Sequence, residues 1–119
     1  CLSCHQPEGK GLPGVYPPLA GSERVSAKDK SALIKIVLHG LKGPIKVAGL
    51  EYGTTAQSVP MPPMGGLSDQ QIADVLSYLR SSFGHQTDPV SSAEVKSVRA
   101  ATSARKTPWT AQKLQEIKR

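Results

Sequence analysis

The chain has 119 residues, a formal net charge of +6, 38% hydrophobic residues and only 4% aromatic ones. So little apolar material, spread among ten prolines and eleven glycines, predicts one loop-rich domain that needs a staple such as a disulfide, a metal or a cofactor. No apolar run approaches the roughly 18 residues of a membrane-spanning helix, and one tryptophan without a groove-reading motif argues against nucleic-acid binding.

The chain opens on "CLSCH", with Cys1 and Cys4 as its two cysteines and His5 directly after them. A disulfide across so small a ring would remove little chain entropy. A redox pair of the thioredoxin kind sits at a strand-to-helix junction, and no strand precedes this one. A zinc site needs a fourth ligand from His39 or His85, without the usual paired spacing. The remaining reading is C-x-x-C-H, the attachment signature of c-type haem. Two thiols add across the vinyl groups on one porphyrin edge, and the next residue presents its imidazole to the iron.

Next comes the loop "GVYPPLAGS", residues 14–22. The segment "SAKDKSALIKIVLHG" predicts a helix over about 27–39, with Ser26 as N-cap and Gly40 as stop. Leu33, Ile34, Val37 and Leu38 form its buried face, with Ile36 partly so. The glycine-rich stretch 40–60 predicts a short hairpin. In "SVPMPPMGGLSDQQIADVLSYLRSSFG", Met61 lies between Pro60 and Pro62, which stiffen the backbone around it. Methionine commonly fills core gaps, but beside a C-x-x-C-H a low-spin electron-transfer haem takes Met or His as its second ligand, and the candidates are Met61, Met64, His39 and His85. Ser68 and Gln71 form a capping box. Ile72, Val75, Leu76, Leu79 and Phe83 make one apolar stripe, which Gly84 ends.

Residues 1–89 hold eight Lys/Arg against seven Asp/Glu, whereas residues 90–119 hold seven against two. The sequence therefore divides into a near-neutral module, 1–89, and a basic extension, 90–119. Two short helices are predicted in the extension. One starts at a Ser91–Glu94 capping box with a Val90–Val95 staple. The other is capped by Thr107 with Pro108 in its first turn, and Trp109 and Leu114 are its anchors.

"CLSCH", "GVYPPLAGS" and "PMPPMGGLSDQQIADVLSYLRSSFG", in this order and spacing, resemble a bacterial class I cytochrome c, over residues 1 to about 86. The likeness is to cytochrome domains fused to or associated with periplasmic dehydrogenases. It implies an all-α fold around one covalently bound haem c per chain, with Cys1 and Cys4 in thioether bonds and His5 as proximal ligand. It further implies Met61, ahead of Met64, as distal ligand, and a Pro17 carbonyl that accepts the imidazole hydrogen bond. Leu19, and with it Tyr16, is expected against the porphyrin edge, and Tyr52 either near a propionate or backbone or on the solvent side. His39 and His85 are expected as surface or helix-end histidines. The helix that in this family leads into C-x-x-C-H has no counterpart before Cys1, so the chain is expected to be part of a longer protein or to cover that face with another element.

The function implied is electron transfer, not catalysis, in the periplasm or elsewhere outside the bacterial cytoplasm, from a dehydrogenase or another cytochrome to a respiratory acceptor. Two other readings stand beside it. A haem enzyme or gas sensor requires a sixth position that Met61 leaves open or vacates, and a structural zinc module requires no haem at all. The basic extension is expected to meet haem propionates or an acidic partner, or to stand in solvent.

Overall fold

The computed structural model describes residues 2–54 and 60–117. In chain order the elements are α1 (Leu2–His5), a 3-10 turn (Pro7–Gly9), α2 (Glu23–Ser26), α3 (Ser31–His39), β1 (Ile45–Val47), β2 (Leu50–Tyr52), α4 (Asp69–Arg80), α5 (Ser92–Ala101) and α6 (Ala111–Ile117). Among the described residues the fold is all-α apart from the β1–β2 hairpin. Ile45 pairs with Tyr52 and Val47 with Leu50, across a two-residue turn in which Ala48 and Gly49 both have positive φ, as a tight antiparallel turn demands.

The helix expected over 27–39 begins only at Ser31, and a separate turn, α2, precedes it. Ser26, the expected N-cap, is instead the last residue of α2, a single turn capped by the Ser22 hydroxyl, which accepts from the Arg24 amide. Ala27 is extended, and α3 begins where Asp29 accepts from both the amide and the hydroxyl of Ser31. The physical reason lies in α4. Arg80 Nη1 donates to the carbonyls of Val25 and Ala27 at 2.7 and 2.8 Å, which takes them out of a continuous helical ladder.

The Ser68–Gln71 capping box of α4 forms in both directions. The helix ends at Arg80, ahead of the Gly84 stop, because the amide and hydroxyl of Thr87 both bond the Arg80 carbonyl. That acceptor is thereby lost to a further helical turn.

One buried cluster joins Val25, α3 residues Leu33, Ile34, Val37 and Leu38, and α4 residues Ile72, Ala73, Leu76 and Leu79. Val90 and Val95 belong to the same cluster, so α5 docks on α3 and α4 through the expected staple. Its Ser91–Glu94 capping box also forms. Arg99 then fastens it to the start of α4, donating to Asp69 and to the carbonyls of Gly65 and Leu67, each at 2.8 Å. Part of the basic charge is thus spent inside the fold.

The last helix starts later than expected. Thr110, not Thr107, caps it, its hydroxyl accepting from the Lys113 amide. Pro108 precedes the helix because the amide and carbonyl of Trp109 are both engaged with the backbone at 40–42. Ile36, Trp109 and Leu114 form a second buried cluster, and the hairpin residues Ile45, Val47 and Tyr52 a third.

Candidate functional site

α1 and the following turn bring Cys4 and His5 to the edge of the domain. Gln6 and Glu8 take positive φ, and the amides of Leu19 and Ala20 both donate to the Gly9 carbonyl. Gly11 lies so close to the backbone of residues 16–18 that a Cβ there would meet the Tyr16 carbonyl and Pro18 nitrogen. The chain is thereby folded back so that the Pro17 carbonyl faces the imidazole. His5 Nδ1 donates to it at 2.7 Å. A carbonyl only accepts, so the proton sits on Nδ1 and Nε2 keeps its lone pair. Burial holds the His5 imidazole below its ordinary pKa, and the Pro17 bond partly counters this. The neutral ring is the ligating form.

Met61 is carried by the other wall. Its amide donates to the Leu41 carbonyl at 2.8 Å and its carbonyl accepts from the Leu41 amide at 3.2 Å. Two cavities meet between these walls. An outer cleft of ≈ 240 Å³ is bordered by Cys4, His5, Tyr16, Pro17, Tyr52 and Met61. An inner, largely apolar cavity of ≈ 80 Å³ is bordered by His5, Pro17, Leu19, Val37, Met61 and Leu76. His5, Pro17, Leu41, Ile45 and Met61 border both. A neutral imidazole, a thioether, an adjacent thiol and apolar walls are the donor set and environment that an iron porphyrin requires.

Most of the expected residues therefore meet here: Cys4, His5, Pro17, Leu19, Tyr52 and Met61. Cys1 lies outside the described residues. Tyr52 is buried, packed with Ile45 and Val47, and not on the solvent side of the hairpin. Met64 borders neither cavity. Its amide donates to the Val37 carbonyl and its side chain packs on the main cluster.

His39 and His85 are both committed elsewhere. Thr102 gives its hydroxyl proton to the Val98 carbonyl, so His39 Nε2 is the donor in its 2.8 Å contact with Thr102 Oγ1. Burial and the nearby Arg105 and Arg99 lower the His39 pKa. His85, expected at the surface or at a helix end, is buried and donates Nε2 to the Leu19 carbonyl at 2.9 Å. It fastens the proximal loop from behind. Its sequence position after Gly84 carried no sign of that, since its partner is 66 residues away. Among the described residues no three His, Cys, Asp or Glu side chains gather as a metal cluster, and the two histidines a zinc site would have drawn on already hold other bonds.

Leu41 was not singled out from the sequence, yet it borders both cavities and carries the Met61 backbone. A leucine in a glycine-rich stretch has no motif to mark it.

A family model for cytochrome c matches residues 1–83. The chain is 36% identical over 108 residues to cytochrome c-552 of Thermus thermophilus, covering 84% of this chain and 79% of that protein. It is 33% identical over 101 residues to the cytochrome c subunit of the quinone alcohol dehydrogenase of Gluconacetobacter polyoxogenes. It is 35% identical over 107 residues to the fructose dehydrogenase cytochrome subunit of Gluconobacter japonicus. These two alignments cover 83% and 84% of this chain but only 20% of each subunit.

Proposed function

The chain belongs to the cytochrome c family, and from that premise we propose that it carries electrons through one haem c bound by Cys1, Cys4 and His5, with Met61 as the distal ligand. When bound, the haem would supply a one-electron iron couple, whose potential ligation by His5 and Met61 would raise relative to ligation by two histidines. The rest of the work belongs to the polypeptide. Pro17 fixes the plane and tautomer of His5 and strengthens Nε2 as a donor. Leu19 and the apolar residues of α3 and α4 keep water from the inner cavity, while Tyr16 and Tyr52 wall the outer cleft.

The observation that carries this reading is that His5 and Met61 border the same two cavities, whereas Met64, His39 and His85 border neither. Relatives named as dehydrogenase cytochrome subunits support a donor of that class, or another cytochrome, delivering electrons onward to a respiratory acceptor. Covalent haem attachment of this type supports a location outside the bacterial cytoplasm. No described helix is long and apolar enough to cross a membrane.

Absorption spectra of the oxidised and reduced holoprotein test the assignment. A sharp reduced α band and a weak methionine-to-iron charge-transfer band in the oxidised form are expected. The latter disappears in Met61→Ala and persists in Met64→Ala. The reverse pattern overturns the choice of ligand, and carbon monoxide binding to the reduced protein at neutral pH would mark an open sixth position instead.

A further inference from the structure

We propose that residues 105–114 form a strap that positions Met61 through Leu41, with Trp109 as its anchor; this rests on Met61 being the distal ligand. The strap lies beyond the stretch that matches the family model, which ends at residue 83.

Three prolines, Pro60, Pro62 and Pro63, leave the ligand loop poor in backbone donors. Of residues 60–64 only Met61 and Met64 have an amide proton, and these go to the carbonyls of Leu41 and Val37. Prolines stiffen such a loop internally but do not tether it to the body of the protein. The tether at Met61 is Leu41, and Leu41 is itself held from its other side. The Trp109 amide donates to the Gly40 carbonyl at 3.0 Å, and the Lys42 amide donates to the Trp109 carbonyl at 2.9 Å. Leu41 is therefore the middle of three short backbone segments, antiparallel to Met61 and parallel to Trp109.

Side chains repeat the same order. Trp109 is only 2% exposed and packs with Ile36 and Leu114, and both Leu41 and Met61 lean on that cluster. The Arg105 guanidinium covers the indole face at 3.7 Å from the ring centroid, and Arg105 is held by a bond from Nη2 to the Pro108 carbonyl. Such stacking of a guanidinium on an indole is attractive and keeps the ring in place. Trp109 is a positioning residue in this arrangement, acting on the thioether only through Leu41 and the shared packing.

The consequence is a population. If the strap holds the loop, weakening it raises the fraction of molecules in which Met61 is off the iron, and an external ligand gains apparent affinity in proportion to that fraction. Imidazole binding to the oxidised holoprotein reads this directly. Trp109→Ala is expected to bind imidazole about tenfold more tightly than the parent and to show a weaker methionine-to-iron charge-transfer band. Trp109→Phe, which retains an aromatic anchor, is expected to restore most of both. Val95→Ala, fully buried in α5 but outside the strap, controls for general loss of stability and is expected to leave both readouts unchanged. Trp109→Leu replaces the alanine variant, with the same criteria, if that variant does not accumulate as folded holoprotein.

The proposal is overturned if the Trp109 variant keeps the parent's imidazole affinity and band, or if Val95→Ala changes them as much. Met61→Ala, run alongside, separates the two levels. If it loses the band and opens the site while the Trp109 variant does neither, only the strap is refuted. If Met61→Ala itself retains the band, the ligand assignment fails first.

Discussion

Replacing Gly40 by alanine strikes the junction on which the ligand loop depends. Gly40 follows α3 with φ 84° and ψ 176°, a region that is in effect reserved for glycine and costs other residues about 1–3 kcal/mol. A Cβ here would also run into the Met61 carbonyl oxygen, and it would stand 3.2 and 3.3 Å from the backbone of Pro63 and Pro62. These are backbone atoms on a proline-stiffened loop, so they cannot move aside as the end of a flexible side chain would. Relief requires the Met61 carbonyl to retreat, which stretches its bond from the Leu41 amide, itself worth about 1 kcal/mol. Together these give a loss of about 3 kcal/mol, or roughly 10 °C in melting temperature for a chain of this size. Denaturant unfolding of the holoprotein measures the loss, and the methionine-to-iron charge-transfer band shows whether Met61 has moved. Gly49→Ala is the control. Its φ is +83° but nothing lies within 4 Å of the added Cβ, so backbone strain of about 1 kcal/mol is expected there without spectral change. Equal losses in the two variants, with the band intact in both, would refute the idea that close approach of residues 40 and 61 holds the ligand loop.

Arg80→Met tests the buried guanidinium. Arg80 is 2% exposed and donates to the carbonyls of Val25, Ala27 and Asp88, so its removal orphans three acceptors while relieving one buried charge. Equilibrium unfolding should register a net loss of about 3 kcal/mol, and a change below about 1 kcal/mol would show that these carbonyls find other donors. Glu94 supplies a pH dependence. Hydrogen bonds from Ser91, then from Lys30, hold its carboxyl below the usual range, so its contribution is present above the unfolded-state value. That contribution is lost as pH falls through the lower folded-state value. Glu94→Gln should therefore flatten the acid limb of a stability-against-pH curve while leaving the limb above neutrality parallel to that of the parent. An unchanged acid limb would remove Glu94 from the account.

Local chemistry made much of this protein readable in advance. A C-x-x-C-H needs five consecutive residues, a capping box needs four, and an amphipathic stripe needs a dozen, so α4, α5 and the His5 end of the site follow from short-range pattern. Even the Pro17 carbonyl, twelve residues from His5, was reached through a resemblance carried by neighbouring motifs. The discrepancies share one cause, which is a tertiary partner claiming a backbone group that local propensity would have used otherwise. Arg80 takes the Val25 and Ala27 carbonyls, and α3 starts four residues later than expected. Thr87 takes the Arg80 carbonyl and ends α4 early. Residues 40–42 take the amide and carbonyl of Trp109 and delay α6.

The same rule divides the site. Local pattern alone supplied the proposed donor set: two cysteines with an adjacent histidine, and a methionine between two prolines. Met61 stands between Pro60 and Pro62 whereas Met64 stands between Pro63 and Gly65, and the family resemblance placed Met61 first. The fold sets Met61 beside Leu41 and on the border of both cavities, where Met64 does not lie, and this supports the proposed choice. It also gave the basic extension its place. Charge alone left residues 90–119 equally suited to solvent, haem or partner. Burial of Val95, Trp109 and Leu114 draws the extension onto the body of the domain, because apolar side chains gain more there than in water.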